Sequence, residues 1–355
     1  MAKILIKNGR VWDGTFFRNC DVLTDGDKIA KIEPRIEDEK AFVFDATGKI
    51  VSAGLVDLHV HLRGISSKRF GICGEASAFP FGVTAVADCG AEYGNRALLD
   101  SFQLKNMVFV LIPIKNNRAD FTKADEKIAA YGEKAVGIKI YFDTASGEVR
   151  DLTPLREISA FARRRGLRVM VHSSNQPVGM AELLPELAAG DIITHAYHGG
   201  IHSAAEDGFE SLRLAKMRGV VVDAGFAGHV HTDFSVLKEG IRKGVLPDTI
   251  STDITCASAY MRGGRYGMTT CMSMAKEAGM QEEDIFRAVT SAPAKILGKE
   301  NEWGFLKEGC KADLAVFDYG KEGFDLTDKE GNRLSSETGY RCILTVADGQ
   351  ILYKD

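Results

Sequence analysis

Six side chains able to bind or bridge a metal sit at the ends of short apolar runs. They are His59 and His61 in DLHVHLR, Lys139 in AVGIKIYF, His172 in RVMVHSSNQ, His195 in DIITHAYHGG and Asp253 in TISTDI. Side chains alternate in face along an extended chain, so His59 and His61 point the same way and offer one cation two imidazole nitrogens. His172 and His195 bring two more imidazoles from other runs. Asp253 adds a carboxylate that can bind metal and accept a proton. Lys139 is the unusual member, because an ammonium inside such a run is costly. A neutral lysine can add carbon dioxide instead, and the resulting carbamate is a carboxylate on a long arm, shaped to bridge two cations. Each residue has an ordinary reading alone: a satisfied strand histidine, a lysine reaching an Asp or water, an N-cap or rim salt bridge for Asp253. Together they suffice for two adjacent divalent ions.

Eight short β-prone runs carry these residues: GLVDLHVH, VTAVADC, MVFVLI, AVGIKIY, RVMVHS, DIITH, GVVVDA and TISTDI. Helical stretches separate several of them. PLREISAFARRRG and FESLRLAKMRG have apolar positions three and four apart and a closing glycine. Eight strand–helix units predict a closed parallel barrel, a distorted (β/α)8 TIM barrel in the α/β class, over residues 54–302. Side chains at the C-terminal rim of its strands would then converge. The first and last fifty residues read differently, as short strands broken by Asn-Gly, Asp-Gly and Thr-Gly turns. Residues 1–53 and 303–355 are therefore expected to pair into one small β-sandwich-like domain.

Composition narrows the function classes. The chain has 355 residues, 45% of them hydrophobic, enough for a large core. With 45 basic and 49 acidic residues the formal charge is -4, which leaves no polycationic footprint for nucleic acid. A locally positive pocket for a small anion remains compatible with that total. The 7 cysteines are odd in number, widely spaced and form no CxxC pair, which points to a reducing cytosol. No apolar leader precedes the first charges, and the run from Met107 to Ile114 is too short for a bilayer, so a cytoplasmic protein without a membrane partner is expected. The GxGxxG and GxxxxGK[ST] fingerprints and the GxSxG elbow are absent.

These motifs together resemble the amidohydrolase superfamily. The resemblance runs through DLHVH, the GIKI lysine, VHSS, ITHAYHG, STD and the late segment TSAPAKILG to GFLKEGCKADLAVFD. Its subgroup resembles the bacterial dihydroorotase-like deacetylases, which act on open-chain acylated small acids. The resemblance implies that His59, His61 and Asp253 hold the more buried metal and His172 and His195 the more exposed one. It also implies that carbamylated Lys139 bridges them, that Asp253 shuttles the proton, and that zinc is the ion. In the HxHxR phrase of dihydroorotases the arginine matches Arg63, expected to hold a substrate carboxylate, with a structural rim residue as the other reading. Dihydroorotases also carry a histidine soon after the final Asp, whereas DITCASAYMRGGRYG has none. Asn175 and His198 could orient substrate or cap their loops. His229, His231, Arg262 and Arg265, in late rim loops, could bind an anion.

The expected function is metal-dependent hydrolysis of an acyl group, acetyl first, from a small carboxylate-bearing amide or ester, with metal-activated water as nucleophile. Opening of a cyclic amide, as in dihydroorotase, hydantoinase or dihydropyrimidinase, is the enzyme alternative. A non-catalytic homologue serving as an assembly partner is the third reading, opposed by retention of all six ligand positions. The expected partner is a small anionic acylated substrate, and the resemblance also allows a homo-oligomer.

Overall fold

The computed structural model describes residues 3–144, 148–228, 230–260 and 266–355. The chain opens with β1 (Ile4–Trp12), β2 (Phe17–Asp25), β3 (Lys28–Glu33), β4 (Phe42–Asp45) and β5 (Ile50–Ala53). Seven strands then follow at intervals: β6 (Leu55–Val60), β7 (Val83–Ala91), β8 (Lys105–Leu111), β9 (Ala135–Tyr141), β10 (Arg168–His172), β11 (Ile192–Thr194) and β12 (Val221–Asp223). The chain closes with β13 (Leu314–Gly320), β14 (Gly339–Ala347) and β15 (Gln350–Lys354).

The two ends form one mixed sheet in the order β15-β14-β13-β5-β1-β2-β3, with β4 also beside β1. The join is the antiparallel β5–β13 pair, where Val51 faces Val316. Val11, Val22, Val51, Leu314 and Leu344 are buried beneath that sheet, so the β-sandwich-like extra domain has its own apolar core.

The seven middle strands are parallel neighbours in chain order, as a barrel wound from strand–helix units requires. All nine residues of β7 are buried, as expected of a parallel strand covered on both faces. The helix Thr153–Arg163 buries Leu155, Ile158, Phe161 and Ala162, the helical spacing read from the sequence. Gly166 then turns the chain at φ +66°.

The eighth run, TISTDI, differs from expectation because it forms no regular strand. Two parallel bridges, Asp223 to Thr249 and Val60 to Ile254, close the ring. Around them the Asp253 N–H donates to the His59 carbonyl at 2.8 Å, and the His61 N–H to that of Ile254 at 3.1 Å. Side chains complete the seam. Asp57, buried in β6, accepts from the Thr252 backbone N–H at 3.1 Å and from its hydroxyl at 2.5 Å. Burial pushes the Asp57 carboxyl up to about 7, although these bonds pull the other way. The barrel is therefore distorted where Asp253 enters it.

Buried contacts fasten the end domain to the barrel. Trp12, fully buried, donates its indole N–H to Thr290 Oγ1 at 3.0 Å and packs on Phe17 and Phe286. Lys105, at the start of β8, meets Asp313 at 2.8 Å and Asp348 at 3.0 Å. A hairpin of Phe324–Thr327 and Arg333–Ser336 reaches the N-terminus of the helix Phe234–Arg242, where Asn332 donates to Asp233 at 3.2 Å. Among the described residues, no helix is long and apolar enough to cross a membrane.

Candidate metal centre

The strand ends bring the six expected residues together at one rim. His59 lies in β6 and His61 just beyond it, Lys139 lies in β9, His172 ends β10, His195 follows β11, and Asp253 sits in the eighth segment. Their ligand atoms sort into two groups of three. One is His59, His61 and Asp253; the other is His172, His195 and His231, with the donor atoms of each group within 4.8 Å of one another. Asp253 spans the two. Its Oδ1 lies 3.3 Å from His59 Nε2 and 2.9 Å from His61 Nε2, while its Oδ2 lies 3.8 Å from His195 Nε2 and 4.0 Å from His231 Nε2. The imidazoles of His172 and His195 are 4.5 Å apart, and those of His195 and His231 are 4.3 Å apart.

Local backbone geometry aims these groups. His195 and Asp253 both hold left-handed conformations, at φ +64° and +48°, which cost a non-glycine residue about 1–3 kcal/mol. The chain thus turns sharply at the rim and sends each side chain inward. His195 Nδ1 lies 2.6 Å from the Gly225 carbonyl, which can only accept, so Nδ1 carries the proton. That leaves the Nε2 lone pair, buried and without a hydrogen-bond partner, facing the cluster. His61 Nδ1 is also buried and unpartnered. Glycine is required at 225: a Cβ there would stand 2.3 Å from Thr194 Oγ1 and 2.6 Å from His195 Nδ1.

Burial drives His59, His172 and His195 well below the ordinary histidine range, so they stay neutral at physiological pH, the form that donates to a cation. For Asp253, burial acts to raise the carboxyl, but the net direction is downward, with the His61 ring hydrogen-bonded to its Oδ1 at 2.9 Å. Lys139 is fully buried, with Nζ 3.1 Å from His59 Nε2. Burial lowers its pKa against the opposing pull of Cys89, Asp253, Asp223 and Asp88. The donor set of neutral imidazoles, an ionised carboxylate and unclaimed buried lone pairs therefore fits two cations.

A cavity of about 460 Å³ opens over both clusters. Asn175 lines it directly, as do Phe70, Tyr141 and His231. After Asp253 the wall is supplied by Thr255. Arg63 is exposed and not among the lining residues; its guanidinium donates to the Gly71 carbonyl at 3.3 Å and approaches Cys256 Sγ at 3.6 Å. His198 is buried behind the rim, with Nδ1 2.8 Å from the Gly199 carbonyl, and burial pushes its pKa down to about 4. His231, expected only as an anion-binding rim residue, stands within the second cluster. His229, Arg262 and Arg265 lie outside the described residues.

The chain is similar to known proteins over nearly its whole length. The profile of the amidohydrolase family matches residues 50–351. A deacetylase of Enterococcus faecalis is 28% identical over 98% of this chain and 98% of its own length. A dihydroorotase of Lactobacillus johnsonii is 27% identical over 99% of this chain and 98% of its own. The crystal structure of a dihydroorotase superposes with a TM-score of 0.86 at 24% identity, covering 100% of this chain and 98% of that one, a likeness of fold. The sequence relatives carry different names, deacetylase and dihydroorotase. The chain belongs to the amidohydrolase family.

Proposed function

We propose that this chain is a deacetylase of the dihydroorotase-like type, removing an acyl group from a small carboxylate-bearing amide or ester. The observation that carries the reading is the pair of adjacent three-donor clusters, one containing Asp253 and the other within 4.0 Å of it, beneath a substrate-sized cavity. The proposed cofactors are two zinc ions, with Lys139 as the carbamate between them. Bound there, the ions supply an acidified water as nucleophile and a Lewis acid for the scissile carbonyl.

The chain's own groups do the rest. The ionised Asp253 faces both clusters, so it can take a proton from the attacking water and return it to the departing amine or alcohol. The Asn175 amide, on the cavity wall, orients the acyl acid. Arg63 turns from its contacts with Gly71 and Cys256 to meet the substrate carboxylate, where its planar donors engage both oxygens. His198, buried and neutral, caps the loop after His195 through its contact with the Gly199 carbonyl. The cysteine pattern favours a cytosolic site of action.

Cyclic-amide hydrolysis is the second reading, favoured by the dihydroorotase relative that matches the whole chain. Zinc-loaded protein assayed on N-acetyl amino acids of both hands, acetylated hydroxy acids, dihydroorotate and hydantoins separates the two. The expected result is kcat/KM at least about tenfold higher on an open-chain acyl substrate than on any ring, a difference near 1.4 kcal/mol in transition-state binding. Preferential ring opening would overturn it.

A further inference from the structure

Close to the metal cluster lies a buried carboxylate outside the proposed ligand set. Asp223, at the end of β12, is fully buried, and three equally buried hydroxyls converge on it. Thr194 and Ser251 each donate to its Oδ2 at 2.7 Å, and Thr249 donates to its Oδ1 at 2.7 Å. Burial raises the Asp223 carboxyl, against the pull of these three hydroxyl bonds and of Lys139; in its ionised form it only accepts, and each hydroxyl then spends its single proton on Asp223. Thr194 Oγ1 also lies 3.1 Å from His59 Nδ1. Having donated its own proton, that oxygen can only accept from the ring, so Nδ1 carries the hydrogen. The His59 lone pair is then on Nε2, the atom facing Asp253 at 3.3 Å and Lys139 at 3.1 Å.

We infer that Asp223 is a positioning residue for the metal centre: through Thr194 it fixes the metal-binding tautomer of His59, and through Thr249 and Ser251 it holds the segment that presents Asp253. That segment has no regular ladder of its own, which makes these side-chain bonds the more consequential. The proposal rests on the two-metal reading for its purpose, but its hydrogen-bond direction is a property of the metal-free chain. A buried outer partner of this kind commonly raises metal affinity 10- to 100-fold, by about the same factor lost when it is removed.

The test is ¹⁵N NMR of the metal-free full-length protein with labelled histidine, His59 being assigned by the resonance lost in His59→Asn, alongside zinc titration against a chelator. Wild-type His59 should show a protonated Nδ1 and a bare Nε2; a protonated Nε2 would overturn the proposal without any variant. Thr194→Val should lose that signature and bind zinc about 10- to 100-fold more weakly, and Thr194→Ser should restore both. Thr249→Val should lower the melting temperature while keeping the His59 signature, which separates orientation from simple stapling. A Thr194→Val protein with unchanged ¹⁵N pattern and zinc affinity within about twofold of wild type contradicts the relay. Absence of zinc binding by the wild type would instead sink the two-metal reading, leaving the tautomer result to stand or fall by itself.

Discussion

Asp253 carries the heaviest demand at the residue scale, since it faces both clusters and, among the described residues, is the only carboxylate in either. Asp253→Asn removes the proton acceptor while nearly preserving shape. Its kcat should fall by about 10²–10⁴, with zinc content reduced by less than one ion per chain; turnover near wild type would take Asp253 out of the proton's path. Lys139 gives a second residue-level expectation. Labelled ¹³C-bicarbonate should produce a carbamate resonance in the wild type that Lys139→Ala lacks, and a wild-type spectrum without it would leave the lysine as a plain amine. The convergence of the six expected residues was legible because each lies in or just after a run whose apolar pattern marks its end, even though the run before Asp253 forms no regular strand. His231 was not, since it lies on a rim loop with no period to fix its direction. The partnership of Asp223 with Thr194 was hidden for another reason: Asp223 reads as an ordinary strand-end acid, and its three hydroxyl donors come from distant runs.

At the scale of elements, the strand ends act as a jig. β11 delivers His195 with its Nδ1 pinned to the Gly225 carbonyl beyond β12, so two neighbouring strands set one lone pair. Gly225→Ala would place a Cβ against Thr194 and His195 at φ +54°, a conformation that disfavours alanine. Equilibrium unfolding in urea should show a loss of about 2 kcal/mol, and zinc binding should weaken at the same time. Wild-type stability and zinc affinity in that variant would mean that the loop relaxes freely and does not orient His195. The strand pattern foretold eight parallel strands; seven form, and the eighth run takes its place in the ring through isolated bridges alone. It could not foretell the missing ladder, because the left-handed turn at Asp253 is set by tertiary contacts with β6 rather than by the residues of TISTDI.

Over the whole molecule, the two β-rich ends close into one sheet and fasten beneath the barrel. Pairing of the ends was readable from their turn-rich texture; the β5–β13 join was not, because register between segments so far apart in sequence leaves no local signature. Lys105 is the point where this assembly is most exposed to test. Lys105→Met leaves the buried Asp313 carboxylate without that cation, a change worth about 3–5 kcal/mol. Tryptophan fluorescence, from Trp12 and Trp303, and far-ultraviolet circular dichroism should both report the lowered transition at a single denaturant concentration, because each tryptophan packs in an apolar core shared with the barrel strands. Separate midpoints would show that the end domain unfolds independently. The central claim, that the converging strand ends form a centre for two ions, is tested most directly by metal analysis of the purified chain after equilibration with zinc and removal of free metal. The account predicts two zinc ions per chain, with hydrolytic activity lost on chelation and regained on zinc addition; a chain that retains no metal, or hydrolyses equally well without it, contradicts the account.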